Sequence, residues 1–189
     1  NMRRKLGKVS AFVAFLLVLT VAASCQNSLA HDESRCACLF VTPAMYIAHE
    51  NGELFEATIN VSLVEDLHSL EFALTYNASL LDVENVVQGP LFPSSPRSCF
   101  WYEVNEPLGF VKVNMSLADS ESPRSGGGTL TFIGFRVVQG SESCVSSPLS
   151  LRNTLLLDSA LEPITHDSVG GVYFWKSVQS DPLVEGRAL

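Results

Sequence analysis

The feature that most constrains this chain is a period of two in its apolar residues. The pattern occurs in residues 55–63, FEATINVSL, in residues 69–76, SLEFALTY, and in residues 110–118, FVKVNMSLA. Strict alternation of apolar and polar residues predicts strands that bury one face and leave the other in water. We therefore expect one inward and one outward row of side chains on each strand.

The inward rows follow directly from this alternation. They are expected to be Phe55, Ala57, Ile59, Val61 and Leu63; Leu70, Phe72, Leu74 and Tyr76; and Val111, Val113, Met115 and Leu117. In residues 129–138, TLTFIGFRVV, Ile133 and Phe135 share one phase, but Leu130 is out of phase with them. A slip of one residue predicts a β-bulge at this point.

Turn signals separate the alternating segments. Residues 51–52, Asn-Gly, predict a hairpin, residues 89–96 contain three prolines, and the glycine-rich residues 122–128 predict a flexible loop. No segment has the period of an amphipathic helix, and Asn77 can cap only a short turn. Strands and turns in this arrangement over about 140 residues predict an all-β sandwich.

Residues 1–30 form a separate segment. A basic head, with Arg3, Arg4, Lys5 and Lys8, precedes thirteen uncharged residues, AFVAFLLVLTVAA. This stretch is too short for a comfortable membrane span and is typical of a signal peptide. Small residues before His31 favour cleavage after Ala30. The alternatives are lipid attachment at Cys25, in a sequence that weakly resembles a lipoprotein processing site, and an uncleaved N-terminal anchor.

The predicted organisation has four parts. They are a signal peptide (residues 1–30), a segment with a cysteine pair (31–39), the β-sandwich (40–175) and a C-terminal tail (176–189). The signal predicts a secreted or cell-surface protein. Membrane association is expected only through this signal or through a lipid on Cys25.

The acidic charge of the predicted mature chain excludes two classes of partner. The whole sequence has 12 Lys and Arg against 20 Asp and Glu, and four of the basic residues lie in the N-terminal segment. The remainder therefore has 8 basic residues against 20 acidic ones, a formal net charge of −12. Such a surface repels nucleic acids and anionic lipids.

Four cysteines remain after the signal segment. They are Cys36, Cys38, Cys99 and Cys144. In an exported domain they predict disulfides, with three possible connectivities. Cys36 and Cys38 are too close to bridge each other without strain. We favour a Cys99–Cys144 bridge, or one between either of these and the Cys36/Cys38 pair.

The order of the segments resembles the cohesin family. The first half, FEATINVSLVEDLHSLEFALTYNASLLDVENVVQGPLF, resembles the family's extended strand, its Tyr-Asn corner and its leucine-rich turn. The segments GFVKVNMSLAD, GTLTFIGFRVV and SLRNTLLLDSALEPITHDSVGGVYF resemble its later strands. Related carbohydrate-binding modules share much of this pattern.

The resemblance implies a jelly-roll β-sandwich of about nine strands that binds dockerins, small calcium-loaded helical modules. The binding surface in that family is the flat outer face of one sheet. Carried over by position, the residues of this face are Ser69, Glu71, Ala73, Thr75, Lys112, Asn114, Ser116 and Asp119. Many cohesins have Asn and Asp at the positions of Ser69 and Glu71, so only the acid is retained here. The cysteines Cys99 and Cys144 also depart from the family pattern.

Two alternatives to a protein partner remain open. The predicted face has small polar groups and no aromatic residue, which suits a shallow protein interface better than a polysaccharide platform. The segment CFWYEV, however, contains three consecutive aromatic residues, and at least one must point outward. Trp101 and Tyr102 are therefore candidates for stacking a sugar ring, or alternatively for covering the end of the sandwich. A structural adhesion domain is the third interpretation.

Three acceptor patterns for N-glycosylation occur, at Asn60, Asn77 and Asn114. All three are predicted to point outward. A glycan at Asn114 would block the predicted binding face.

We predict no catalytic residues and no resident cofactor. The histidines are isolated, and no Ser, His and Asp set follows a nucleophile turn. His31, Cys36 and Cys38 have soft ligand atoms, but their spacing matches no standard zinc pattern, so we predict no metal site. Calcium is expected on the partner or in a loop. The oxygen ligands for such a loop would come from Asp66, Asp119 and Asp167.

Overall fold

The structure is a computed structural model that describes residues 36–138 and 145–175. In these two ranges the chain forms eleven strands and no helix, which confirms the predicted all-β class. The strands are β1 (Ala37–Thr42), β2 (Met45–Ala48), β3 (Leu54–Leu67), β4 (Ser69–Thr75), β5 (Leu81–Gln88), β6 (Ser98–Asn105), β7 (Phe110–Leu117), β8 (Arg124–Val137), β9 (Val145–Leu157), β10 (His166–Val169) and β11 (Gly171–Trp175).

The strands form two sheets. The five-stranded sheet has the order β10-β1-β3-β8-β5, and the six-stranded sheet has the order β2-β11-β9-β4-β7-β6. Most neighbours are antiparallel, but the short strands β10 and β2 pair in parallel with β1 and β11. These two four-residue edge strands account for the difference from the roughly nine strands expected. No helix of the described residues is both long enough and apolar enough to span a membrane.

The core lies between the sheets and includes all residues of the predicted inward rows except Leu63. Phe72, Leu74, Val111, Val113 and Met115 have no exposed surface. The period of two predicted the burial of these residues because successive strand residues point to opposite faces. The outward rows of β4 and β7 are consequently placed on one surface.

Register shifts occur at several places in the sheets, and two of them bear on the predicted inward rows. The predicted bulge at Leu130 is confirmed, since the pairing of β3 with β8 shifts there and both Leu130 and Thr131 are buried. The predicted inward position of Leu63 was wrong. A second register shift lies between Val61 and Val64, so Val64 enters the core and Leu63 is 49% exposed.

Two predicted turns have a different structure. The glycine-rich residues 122–128 are not a flexible loop, because β8 begins at Arg124 and its glycines pair with β3. A side chain at Gly127 would place its Cβ 2.9 Å from the carbonyl oxygen of Val61, so the close pairing requires glycine. Residues 51–52 do form a turn, with Gly52 at φ +81°, but not a hairpin. The strands on either side of the turn, β2 and β3, belong to different sheets.

Candidate protein-binding face

The outer face of the six-stranded sheet is built by four adjacent strands. Direct pairing aligns Trp101, Asn114, Glu71 and Leu155 in one row across β6, β7, β4 and β9. The next row contains Glu103, Lys112, Ala73 and Arg152. We call this surface the central face. It comprises the outward residues Ser69, Glu71, Ala73, Thr75, Trp101, Glu103, Phe110, Lys112, Asn114, Ser116, Arg152 and Leu155.

Seven of the eight residues predicted for the binding face lie on the central face. The alignment arises because Ser69 pairs with Ser116, Glu71 with Asn114, and Ala73 with Lys112. Asp119 is exposed in the turn that follows β7, at the end of the face. The structure therefore brings the predicted set together, while the role of the set stays a prediction.

Glu71 organises the polar groups at the centre of this face. The Lys112 ammonium lies 3.0 Å from Glu71 Oε1, and the Asn114 amide donates a hydrogen bond of 3.3 Å to Glu71 Oε2. Both partners belong to β7, so they hold the carboxylate toward that strand. Because all three side chains are at least partly exposed, a partner molecule can reach them.

The expectation that this face lacks aromatic residues was wrong. Trp101 is 48% exposed and lies beside Asn114, since β6 pairs with β7. Tyr102, the next residue, is 45% exposed but points to the other side of the strand, where its ring contacts Phe100 at 5.8 Å. Of the two predicted stacking residues, only Trp101 therefore belongs to the central face.

A depression of about 430 Å³ lies between β7, β4 and β9. Glu71, Lys112 and Phe110 line one side, and Arg152 and Asn153 line the other. The pairing of β4 with β9 shifts by one residue at this point, and Asn153 has a φ of +49°. This bulge leaves both Arg152 and Asn153 exposed.

Sequence reasoning missed the contribution of β9. Arg152 and Leu155, which is 41% exposed, face outward on the same surface as the β4 row. The segment LSLRNTLLL contains the signal, because its alternation breaks at residues 152–154. A break of this kind predicts a bulge, and bulges are frequent next to binding sites.

The predicted Cys99–Cys144 bridge involves a residue outside the described ranges and stays a prediction. Cys36, Cys38 and Cys99 are free, and Cys144, Cys25 and His31 lie outside the described residues. Cys38 lies within β1, where burial and the nearby Asp167 raise the pKa of its thiol. The Cys36 thiol donates to the Thr165 carbonyl at 3.4 Å.

The aspartates predicted for a calcium site are not brought together. Within residues 36–138 and 145–175, no group of three or more His, Cys, Asp or Glu side chains is arranged to hold a metal ion. Asp66 instead accepts hydrogen bonds from the Ser159 hydroxyl, at 2.6 Å, and from the Ser159 backbone. These bonds lower the pKa of Asp66.

The three glycosylation patterns have different surroundings. The Asn60 amide is half-buried and donates to Thr58 Oγ1 at 2.9 Å and to Thr42 Oγ1 at 3.3 Å. Asn114 is exposed, but its amide donates to Glu71. Asn77 is exposed at a turn, where its Oδ1 accepts hydrogen bonds from Ser79. A glycan at Asn77 is therefore compatible with the structure and stays a prediction.

The sequence and the fold were compared with those of known proteins. The family model for the cohesin domain matches residues 47–172, more than half of the chain. Among curated proteins, none matches the chain at a significant level.

Several solved structures have the same fold. A non-cellulosomal cohesin from the hyperthermophilic archaeon Archaeoglobus fulgidus is 21% identical, with a TM-score of 0.62 over 76% of this chain and 94% of that chain. The OlpC cohesin–dockerin complex from Clostridium thermocellum is 15% identical, with a TM-score of 0.65 over 76% and 95% of the two chains. The sixth cohesin of scaffoldin B from Acetivibrio cellulolyticus, solved with a dockerin, is 18% identical, with a TM-score of 0.63 over 75% and 99%.

Proposed function

The chain belongs to the cohesin family, and from this premise we propose that it is a secreted, non-catalytic module whose central face binds a dockerin-type protein. The family membership and the cohesin–dockerin complexes among the similar structures support this function. The observation that carries the proposal is the composition of the central face. It combines open polar groups at its centre with exposed apolar groups on both sides.

The energetic reason lies in the arrangement of these groups. Trp101 and Leu155 lie at the two ends of the row that contains Asn114 and Glu71. Interfaces are rich in aromatic residues and arginine, and a few such anchors supply most of the binding free energy. Trp101 provides an apolar anchor at one edge, and the Glu71 cluster provides hydrogen-bonding groups that set the orientation of the partner.

The location of the protein is part of the same proposal. Residues 1–30 direct export, with cleavage after Ala30 or lipid attachment at Cys25 as the two routes. In either case the acidic domain acts outside the cell, where it would tether a dockerin-bearing protein to an extracellular assembly. Calcium enters through the partner, because a dockerin folds around this ion.

Carbohydrate binding is a second candidate, favoured by one observation. Trp101 is 48% exposed on a flat sheet surface, and an exposed indole can stack on a sugar ring. This interpretation rests on Trp101, whereas docking rests also on Glu71 and β9. Substitutions at Glu71 and at Trp101 therefore distinguish the two functions.

The test is calcium-dependent capture. The full chain, immobilised through its C-terminus, is exposed to calcium-loaded dockerin modules with and without chelator. We expect capture that is lost on chelation and in Glu71→Arg, because the new guanidinium repels Lys112 and removes the acceptor for Asn114. The matched control is Glu56→Arg, which changes an exposed glutamate on the outer face of the five-stranded sheet and should retain capture.

Two results would contradict docking at the central face. The first is equal capture by the Glu71→Arg and Glu56→Arg variants. The second is no capture by the wild type together with retention on a polysaccharide gel that Trp101→Ala abolishes. That second result would establish the carbohydrate function instead.

A further inference from the structure

We propose that Arg152 selects partners that present a carboxylate, so that the docking partner places an Asp or Glu side chain in the depression between β7, β4 and β9. This inference rests on the proposed function, since it names the chemistry of the partner at the same face. It follows from an imbalance of charge that is specific to this site.

The depression is basic on an acidic protein. Residues 36–138 and 145–175 contain 5 Lys and Arg against 15 Asp and Glu. Two of those five cations, Lys112 and Arg152, line the depression, together with a single acid, Glu71. The depression therefore has a positive formal charge, whereas the described residues as a whole have a negative one.

The Glu71 carboxylate does not neutralise Arg152. One carboxylate oxygen of Glu71 lies 3.0 Å from Lys112 Nζ, and the other accepts a hydrogen bond from Asn114. Both partners lie on β7, whereas Arg152 lies on β9, on the opposite side of β4. Among the described residues, the Arg152 guanidinium forms no ion pair and no hydrogen bond.

The other acid in this row, Glu103, does not pair with Arg152 either. Glu103 lies in the same row, but β7 and β4 separate its strand from β9. Three strand spacings separate the two backbones by about 14 Å, and among the described residues no ion pair joins Glu103 to Arg152. Arg152 thus remains available to an external anion.

The bulge in β9 presents this guanidinium to the depression. One extra residue lies between Arg152 and Leu155 relative to β4, and Asn153 takes the left-handed conformation that asparagine tolerates. As a result, two consecutive side chains, Arg152 and Asn153, line the same depression. A guanidinium with free N–H donors favours a carboxylate, which it can bind through two parallel hydrogen bonds.

The first arm of the test measures dockerin affinity with the full chain. Isothermal titration compares the wild type, Arg152→Ala and Arg152→Glu with the dockerin captured in the assay above. We expect the dissociation constant to rise about tenfold for Arg152→Ala and about a hundredfold for Arg152→Glu, with an affinity that falls as salt is added. The matched control is Arg97→Ala, an exposed arginine outside the central face, which should leave the affinity unchanged.

The second arm does not depend on a dockerin. The Nε–H resonance of Arg152 is followed by NMR while hexaglutamate or hexalysine is added. A saturable shift with hexaglutamate alone supports the anion site, and the Arg152→Ala variant identifies the resonance because it lacks this Nε–H. A response to neither peptide, or to both equally, contradicts it.

The two arms separate the two claims. Dockerin binding that is equal in the wild type and in Arg152→Glu overturns the anion inference and leaves the proposed function intact. No dockerin binding with a specific hexaglutamate shift overturns the proposed function and keeps the anion site. Failure in both arms overturns both.

Discussion

The outer faces of the two sheets differ in how their polar groups are used. On the five-stranded sheet, the Asn60 amide donates to Thr58 and Thr42, and its Oδ1 accepts a 2.7 Å hydrogen bond from Thr129. On the central face, by contrast, the Arg152 guanidinium has no partner among the described residues, and Trp101 is half exposed. Polar groups that satisfy one another stabilise the fold, whereas groups left open are available to a partner.

This contrast supports the proposed division, in which the outer face of the five-stranded sheet contributes to stability and the central face binds a partner. Charge alone does not separate them, because each face has an exposed ion pair, Glu71–Lys112 on one and Glu84–Arg136 on the other. Exposed pairs contribute little to stability. The distinguishing groups are those that the fold leaves without a partner.

The largest expected effect tests the aromatic anchor. Trp101→Ala should weaken dockerin binding by about 2–4 kcal/mol, because a large exposed aromatic at an interface is a typical hot spot. Tyr102→Ala is the matched control, since Tyr102 is similarly exposed but lies on the other side of β6. Isothermal titration measures both. Equal losses for the two variants would mean that the central face is not the surface used.

The second prediction concerns stability. Asn60→Ala should lower the free energy of unfolding by about 1–3 kcal/mol, because it removes the acceptor of the Thr129 hydroxyl and the amide that donates to Thr58 Oγ1. Asn114→Ala should change it by less than about 0.5 kcal/mol, since the hydrogen bond from its side chain to Glu71 is long and exposed. Urea unfolding measures both. If Asn114→Ala destabilised the protein as strongly as Asn60→Ala, the proposed division between the faces would be wrong.

The smallest effect concerns the contact between the sheets, not either outer face. The Tyr46 hydroxyl donates a 2.6 Å hydrogen bond to Glu53, which also accepts one from the His49 backbone. These bonds lower the pKa of Glu53 below its ordinary 4.5. Because the folded-state pKa is lowered, the stabilisation is complete above pH 4.5 and is lost as the pH falls through the folded-state pKa.

The corresponding measurement is urea unfolding as a function of pH. The wild type should lose stability more steeply below pH 4.5 than Glu53→Gln. Tyr46→Phe should also lose stability less steeply than the wild type below pH 4.5, because it removes the shortest of these hydrogen bonds. An identical slope in all three proteins would show that this contact does not titrate during unfolding.

The sequence predicted the parts of the site that depend on short-range pattern. The period of two placed Glu71 and Thr75 on one side of β4, and Lys112 and Asn114 on one side of β7. Those two strands are also adjacent, as the family resemblance implied. Alternation determines which side chains share a face because the strand backbone itself alternates.

Predictions from the sequence pattern were wrong where the backbone departs from regular alternation. Leu63 points outward because β3 shifts its register between Val61 and Val64. The glycines before Leu130 continue a strand because glycine permits close approach of the neighbouring backbone. In both cases the pairing partner, which is distant in the sequence, decided the local conformation.

The sequence by itself determined the all-β class, most of the inward rows and the resemblance to cohesins, because these follow from local alternation and the order of segments. Only the tertiary structure decided that Trp101 and Arg152 share one face with Glu71. Ala73 and Arg152 pair although they are 79 positions apart in the chain. No local pattern specifies such a pairing, because it depends on how the sheets minimise exposed apolar area and unpaired backbone groups together.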